Sequence, residues 1–343
     1  MEVSTLEEIG ESKWNAYVDS CEQASVYHLS GWKGVLSSAF HCKCHYLAAI
    51  SAAGDVVGIL PLVHFKNPLF GNFLVSMPYF NHGGLLSNDA EAEDALLNHV
   101  VHLAQELGVS HIELREFHGR KGDWQVKDEK VLMLLDLPSD PDVLWKSIGS
   151  KRRSQIKRPD REGASVRTGG LELLDDFYAV FSRNMRDLGT PVYSRALFSE
   201  ILKSFPNDAF MVVIYLNEMP VAAAFLVGHK KTIEIPWASS LREYNRLGTN
   251  MKLYWEVLKF SISRGYDVFD FGRSTMDGPT YKFKKQWGSQ PKQCYWNYWL
   301  AEGNELPQLN PHNPKYKMAI AGWKKLPLFV ANRLGPHIVK HLP

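Results

Sequence analysis

The chain has 343 residues, 45% of them hydrophobic and 22% charged, with a formal net charge of +2. That length is enough for two domains with sizeable cores, and near-neutrality means that any basic site must come from local clustering. The longest apolar runs, such as Val221 to Val227, fall far short of the ~20 residues needed to span a bilayer.

The first residues, MEVSTLEEIGESKW, are acidic and carry no apolar secretory core. Cys42 and Cys44 form a CxC without a second pair or a nearby His–Cys set, so reduced thiols and no metal site are expected. The expected location is the cytoplasm.

The first segment, to about Phe40, has helical character. Ser30 reads as an N-cap and places Trp32, Val35, Leu36 and Phe40 on one helix face. HYLAAIS and VVGILPLVHFK around the turn AAGD read as a β-hairpin. Phe73 to Phe80 reads as a further strand running into the turn NHGG. Glu91 to Leu107 has helical periodicity and ends at Gly108, the residue favoured just past a helix. His111 to Phe117 (HIELREF) reads as a strand with alternating faces, and Lys130 to Leu137 as another.

Residues 142–158, 171–188 and 194–205 read as helices. AFMVVIYL, the turn NEMP and VAAAFLVGHK form a second hairpin, and TIEIPWAS a third strand. Residues 249–264 make an amphipathic helix stopped by Gly265, followed by VFDF, a short helical stretch over 281–287 and a final strand, QCYWNYWL. The two halves therefore share one order: helices, hairpin, strand, helix ending in Gly, strand. A repeat of this length is a duplicated domain. LPSDP interrupts the regular stretches, so the expected division is residues 1–138, residues 139–310 and a tail, 311–343.

The stretch GYDVFDFGRSTMDGPTYKFKKQWGSQP, Gly265 to Pro291, concentrates the chemistry. Asp270 sits in an aromatic run, Arg273 and Ser274 follow at the expected carboxyl end of that strand, and Lys284 and Lys285 are interleaved with Tyr281, Phe283 and Trp287. Ligands of open α/β sheets bind beyond the carboxyl ends of strands, and cations among aromatics suit an anionic group or a developing oxyanion. Taken alone, the two lysines also read as a solvated helix face, and Asp270 as a structural partner of Arg273.

The order of elements is that of the GNAT acyltransferase fold, and two such units in tandem resemble the Fem-like peptidyltransferases. SIGSKRRSQIKRPDREG resembles the basic helix that opens the second unit of that family. RLGTNMKLYWEVLKFSISRGYDVFDFGRS resembles its helix–strand pair, and YKFKKQWGSQP its Phe-Lys segment. The tail GWKKLPLFVANRLGPHIVKHLP is similar to Fem-like proteins of exosortase (PEP-CTERM) and exopolysaccharide systems.

The resemblance implies an α/β chain of two tandem GNAT-like units, each a mixed, largely antiparallel sheet flanked by helices. It implies amide-bond formation between an activated acyl or aminoacyl donor and an amine of a cell-envelope precursor. Lys284 is then expected to stabilise the carbonyl oxygen and Lys285 to lie on the surface. Asp270 can orient Arg273 or Lys284, or bind the amine; Arg273, Ser274, Tyr281 and Phe283 are expected to face substrate. No cofactor is required, with aminoacyl-tRNA or acyl-CoA as co-substrate. Arg246 and Gly248 fit a pyrophosphate loop and would bind acyl-CoA if it is the donor, although Asn250 stands where a second small residue is expected. Capping of the helix by Thr249 or Asn250 is the plainer reading.

Lys151 to Arg161 holds six cations against Asp160 alone. Arg153 and Lys157, four apart on one helix face, are candidates for phosphate of a nucleotide-linked precursor or of tRNA. The run lacks interleaved aromatics, and no DNA is expected as a partner. In MPYFNHGG, the residues Tyr79, Asn81 and His82 are candidates for a substrate-facing loop, with Gly83 and Gly84 permitting close approach of backbone to ligand; His82 also reads as a structural turn residue. No Ser–His–Asp, Cys–His or paired-carboxylate set appears, which disfavours a covalent acyl-enzyme. The tail alternates Pro and Gly with apolar and basic residues, a composition suited either to peripheral contact with the inner face of a membrane or to packing on the protein. Two rival readings stand: an acyl-CoA-dependent N- or O-acyltransferase acting on an exopolysaccharide or nucleotide sugar, and a non-catalytic binding module for anionic glycan or RNA.

Overall fold

The structure, a computed structural model, describes residues 1–68, 71–307 and 314–342. In chain order the elements are β1 (Glu2–Thr5), α1 (Leu6–Ile9), α2 (Glu11–Ser20), α3 (Gly31–Phe40), β2 (Lys43–Ile50), β3 (Val56–Asn67), β4 (Gly71–Val75), β5 (Leu86–Ser87), α4 (Ala90–Leu107), β6 (His111–Glu116), β7 (Trp124–Lys127) and β8 (Lys130–Asp136). There follow α5 (Pro141–Ser147), α6 (Ser150–Arg161), β9 (Ser165–Gly169), α7 (Leu174–Leu188), α8 (Arg195–Ser204), β10 (Ala209–Leu216), β11 (Met219–His229), β12 (Thr232–Ser240), α9 (Thr249–Ser263), β13 (Val268–Thr275), α10 (Pro279–Lys285), β14 (Gln290–Gln293), β15 (Tyr295–Leu300), α11 (Pro314–Trp323) and α12 (Leu328–Val339).

The chain divides into two units. The first comprises Met1–Leu132, Lys292–Leu309 and His341–Pro343; the second comprises Met133–Pro291 and Asn310–Lys340. This differs from the sequence expectation in three ways. The division falls within β8 rather than in the LPSDP turn, Lys292–Leu309 belongs with the first unit, and most of the tail belongs with the second. The reason lies in the sheets: β15 pairs with β6 and β7 in the first, and β8 lies beside β13 in the second. The expected boundary at 310/311 lies outside the described residues.

The sheet of the first unit runs β1-β2-β3-β4-β6-β15-β7, with β5 on β3. Its neighbours are antiparallel except for β4 and β6, which pair in parallel. The helix α4 forms as its sequence dictates. Asp89 accepts a hydrogen bond from the Ala92 amide at 3.0 Å, Gly108 closes the helix in the left-handed region, and Ala92, Leu96, Val100 and Ala104 lie at four-residue spacing on the sheet. Ser30 stands at the N-cap position of α3 as expected, but its side chain makes no capping bond; its hydroxyl accepts from the Asn15 amide group.

All six residues of β6 are buried, where alternation was expected. Its charges are paired internally. Glu113 receives Arg115 Nε at 2.7 Å and Tyr298 Oη at 2.9 Å; Glu116 receives Arg120 through two bonds of 2.6 and 2.7 Å and Asn297 Nδ2 at 2.7 Å. Buried charge is tolerable only with such satisfaction. Two of the partners come from β15, so these contacts specify which strand lies beside β6.

The sheet of the second unit runs β14-β8-β13-β12-β11-β10-β9. Asn217 and Glu218, both at positive φ, make the tight turn joining β10 to β11. Helices α7 and α9 cover opposite faces. Phe225 of β11 packs on Phe177 of α7, whereas Phe210, the register partner of the adjacent Leu226, packs on Phe260 of α9. The helix α12 buries Ala331, Gly335 and Val339, and a Cβ on Gly335 would lie 2.7 Å from the Val192 backbone nitrogen. Each unit is thus a mixed, largely antiparallel sheet flanked by helices. Strands β1, β7, β9 and β14 lack a strong apolar run and were not expected.

Candidate functional site

The site grows from one local event in the second sheet. Strands β12 and β13 pair in parallel at Thr232–Val268, Ile233–Phe269 and Glu234–Asp270, and at no further residue among those described. Beyond that point β12 stays with β11 as far as Ser240, past an irregularity opposite Ile235 and Pro236. Proline has no N–H to give a ladder. The two strands therefore part with Glu234 and Asp270 side by side at the last pair, both buried.

Strand β13 continues through Arg273 and Ser274 to Thr275, which corrects the expectation that these residues follow the strand. Gly272 has φ +75°, a conformation that side-chain-bearing residues rarely adopt, and its amide donates to Asp270 Oδ1 at 2.6 Å. Phe269 and Phe271 meet edge to face at 4.7 Å, leaving Asp270 to the opposite side of the strand.

Lys284 reaches the freed edge. It sits on the buried face of α10, one turn after Tyr281, and donates to the carbonyls of Gly272 at 3.0 Å and Arg273 at 2.9 Å. An ammonium carries three N–H donors, so two are committed to β13. Burial pushes its pKa down to about 8, while Asp270 and Glu234 pull the other way and Arg273 adds to the lowering. The helix is held by aromatics: Phe283 meets Tyr254 of α9 edge-on at 4.9 Å, and Tyr254 stacks on Phe271. Arg152 of α6 donates to the Gln286 carbonyl at the end of α10.

A cleft of about 330 Å³ opens at the start of α9, lined by Gln155, Arg158, Asn184, Ser239, Ser240, Arg246, Gly248, Asn250 and Met251 among others. The first amides of a helix lack intrahelical partners and favour anions. Here the N-cap is Gly248 at φ +84°, its own amide given to the Asn245 carbonyl at 3.0 Å, and the first amides of α9 follow it, with Arg158 and Arg246 alongside. A Cβ on Gly248 would lie 2.6 Å from the Gln155 carbonyl oxygen, so glycine lets α6 close against this loop. Asn250 lines the cleft itself. Thr249 is fully buried, its hydroxyl directed to the Tyr244 carbonyl at 3.5 Å.

The remaining sequence candidates fall in different places. Lys285 is exposed and lies 5.8 Å from the Tyr281 ring. Ser274 Oγ is buried with no hydrogen-bond partner among the described residues, and Arg273 is exposed. Phe283, half-buried, packs on Tyr254. Arg153 donates to the carbonyls of Trp145, Lys146 and Ile148, closing the end of α5, and Lys157 stands over the Trp145 ring at 5.4 Å. The cleft receives Arg158 instead. In the first unit, Tyr79 stacks on Phe40 at 4.3 Å, and His82 packs between Tyr27 and Phe117, its pKa pushed down to about 3 chiefly by burial. Gly83 and Gly84 there serve close packing within the unit, since a Cβ would lie 2.7 Å from Met77 Cγ and 2.4 Å from Glu116 Cγ respectively. Asn81 is half-buried beside them.

Sequence reasoning missed Glu234, and within the basic run, which includes Arg158, it singled out Arg153 and Lys157. A lone acid in the apolar run TIEIPW is the same signal that singled out Asp270 in VFDF, and it would have found Glu234. Nothing in the basic run distinguishes Arg158 from its neighbours.

A family model of the acetyltransferase (GNAT) domain matches residues 150–285, from the start of α6 to the last residue of α10, enclosing the cleft, the parting strands and Lys284. No curated protein matches the sequence. Among solved structures the chain is similar to FemX, with a TM-score of 0.67 at 15% identity over 93% of this chain and 100% of that one. It is similar to the C-terminal domain (DUF2156) of a putative lysylphosphatidylglycerol synthetase from Agrobacterium fabrum, with a TM-score of 0.58 at 14% identity over 87% and 93%. A tandem GNAT protein from the clavulanic acid biosynthesis pathway has a TM-score of 0.55 at 14% identity over 89% and 99%. At these identities the likeness is one of fold. The chain has the fold of two tandem GNAT-like units, and its second unit contains the matched acetyltransferase domain. Among the described residues, no helix is long and apolar enough to cross a membrane.

Proposed function

We propose that this protein is an acyltransferase of Fem-like type, in which an amine of a cell-envelope precursor attacks an activated acyl or aminoacyl carbonyl directly. The observation that carries the reading is the buried Lys284 ammonium beside Glu234 and Asp270, where β12 and β13 part. As the nitrogen adds to the carbonyl carbon, the C=O π electrons move onto oxygen. An N–H of Lys284 beyond the two given to β13 offsets that charge, which exists only at and after the transition state. The attacking nitrogen loses a proton to a carboxylate, Asp270 being the candidate with Glu234 beside it. Collapse expels the donor's ribose oxygen or thiolate, which takes up a proton. No protein side chain carries the acyl group between steps.

The cleft at α9 favours a phosphate-bearing donor, through Arg158, Arg246 and the helix start. Aminoacyl-tRNA fits the first reading, acting at the inner face of the cytoplasmic membrane. The approach of α9 to the cleft at Gly248 supports acyl-CoA as the donor in a second reading, with an exopolysaccharide or nucleotide-sugar acceptor.

The test is transfer of a radiolabelled acyl group from aminoacyl-tRNA or acyl-CoA to an amine-bearing envelope precursor. Transfer by the native protein and its loss in Lys284→Ala are expected. Full transfer by Lys284→Ala overturns the mechanism, and absence of transfer from either donor class overturns the function. A rise in thermal midpoint with CoA favours the second reading, because a ligand of the native state raises apparent stability.

A further inference from the structure

The two C-terminal helices carry a surface that the chemistry at Lys284 does not use. No acidic residue follows Glu305 in the sequence, whereas among the described side chains Lys317, Lys324, Lys325, Arg333 and Lys340 supply five cations. Of the eleven large hydrophobic side chains exposed among the described residues, four lie within residues 318–334: Met318, Ile320, Phe329 and Leu334. Met318 is 73% exposed and Phe329 75%. Clustering of this kind on a folded chain marks an interaction surface.

The orientation is fixed by packing. With Ala331, Gly335 and Val339 buried, the turn of 100° per residue puts Phe329, Arg333 and His337 on the outward side of α12. Every position from Lys317 to Gly322 of α11 is exposed, so its run MAIAG is not the stripe of a core helix. The Arg186 guanidinium donates to the Leu326 carbonyl at 3.0 Å, tying the connection between the two helices to α7.

We propose that α11 and α12 dock this protein on an anionic phospholipid surface. Apolar side chains enter the boundary between headgroups and acyl chains, while the interspersed lysines and Arg333 sit among lipid phosphates. A second copy of this chain would oppose the cations with cations, which disfavours an isologous contact. RNA would satisfy the charge but leave Met318, Ile320 and Leu334 in water, since single strands are held by aromatic stacking as well as by cations. The inference stands apart from the reaction at Lys284, and its test needs no turnover.

The full chain is mixed with vesicles of phosphatidylcholine, alone or with about 30% phosphatidylglycerol, and sedimented; each cation at an anionic surface is expected to raise partitioning about fivefold. Binding to the anionic vesicles that weakens with salt, and at least about tenfold weaker binding by Met318→Glu/Phe329→Glu and by Lys324→Glu/Lys325→Glu, is the expected result. Unchanged circular dichroism and thermal midpoint in the variants exclude a folding defect as the cause; should either variant unfold, Phe329→Ser and Lys325→Gln carry the same comparison. Equal sedimentation with and without phosphatidylglycerol, binding unaffected by the substitutions, or a requirement for RNA or self-association in their place overturns the proposal.

Discussion

Glu234 and Asp270 are the last register pair between β12 and β13, and the Lys284 ammonium feels both carboxylates from its place on the edge that β13 exposes once the strands part. A cation in such a position has its donors aimed before substrate arrives, the condition under which electrostatic stabilisation is effective. Replacing Lys284 with Ala is expected to lower kcat by about 10²–10³ with little change in the secondary structure seen by circular dichroism. Stopped-time product formation at saturating substrate measures it.

The lowered pKa of Lys284 gives opposite signs for activity and stability. The folded protein holds the group at about 8, against an ordinary value of 10.5. Between those values the unfolded chain binds more protons, so stability rises with pH across that window, by about 3 kcal/mol at most. Activity that needs the ammonium falls over the same window. Thermal midpoints and kcat at successive pH values between 7 and 10.5 are expected to diverge, and Lys284→Met to lack the stability rise.

Asp270 and Glu234 both raise the Lys284 pKa against the effect of burial. Removing either charge, in Asp270→Asn or Glu234→Gln, is expected to move the alkaline limb of the activity profile to lower pH. If Asp270 also takes the amine proton, Asp270→Asn loses about 10²–10⁴ in kcat beyond that movement, as for a general base, and Glu234→Gln does not. A pH–rate profile of both variants separates the two roles.

Two arginines of one helix are expected to behave differently. Arg158 lines the cleft, whereas Arg153 closes the end of α5 through three carbonyls. Arg158→Ala should weaken a phosphate-bearing donor and flatten the salt dependence of its binding. Arg153→Ala should instead lower stability by about 1–3 kcal/mol, because the part-buried carbonyls of Trp145 and Ile148 lose a charged donor. Urea denaturation and donor titration on both variants check this.

In the first unit, Arg120→Ala strands the carboxylate of Glu116 in the interior. A loss of about 3–5 kcal/mol is expected, with cooperative destabilisation of the β6–β15 region read by hydrogen exchange. Glu116→Gln/Arg120→Met, which removes both charges, should recover part of it.

Local order was legible because it is written locally. The spacing of Ala92, Leu96, Val100 and Ala104, the Gly108 stop and the hairpin turns each depend on a few adjacent residues, and the duplication follows from comparing two such orders. Lys284 stood out in the same local way, as a lysine among aromatics in a short helical segment, but the pattern alone read equally as a solvated face, and only the family resemblance separated it from Lys285. What the chain alone left open depends on contacts between distant segments. Arg153 and Arg158 lie in one basic run, and only the packing of α5 and of the α9 loop directs one to carbonyls and the other to a cleft. Gly84 looked suited to a ligand and instead clears the Glu116 side chain. The assignment of β15 beside β6 could not be read from its own pattern, because Glu113 and Glu116 lie about 180 residues earlier and receive Tyr298 and Asn297 only when the strands meet. The tertiary structure likewise decided the reach of Lys284, since its two carbonyl partners, Gly272 and Arg273, lie on the stretch of β13 past its last register pair with β12.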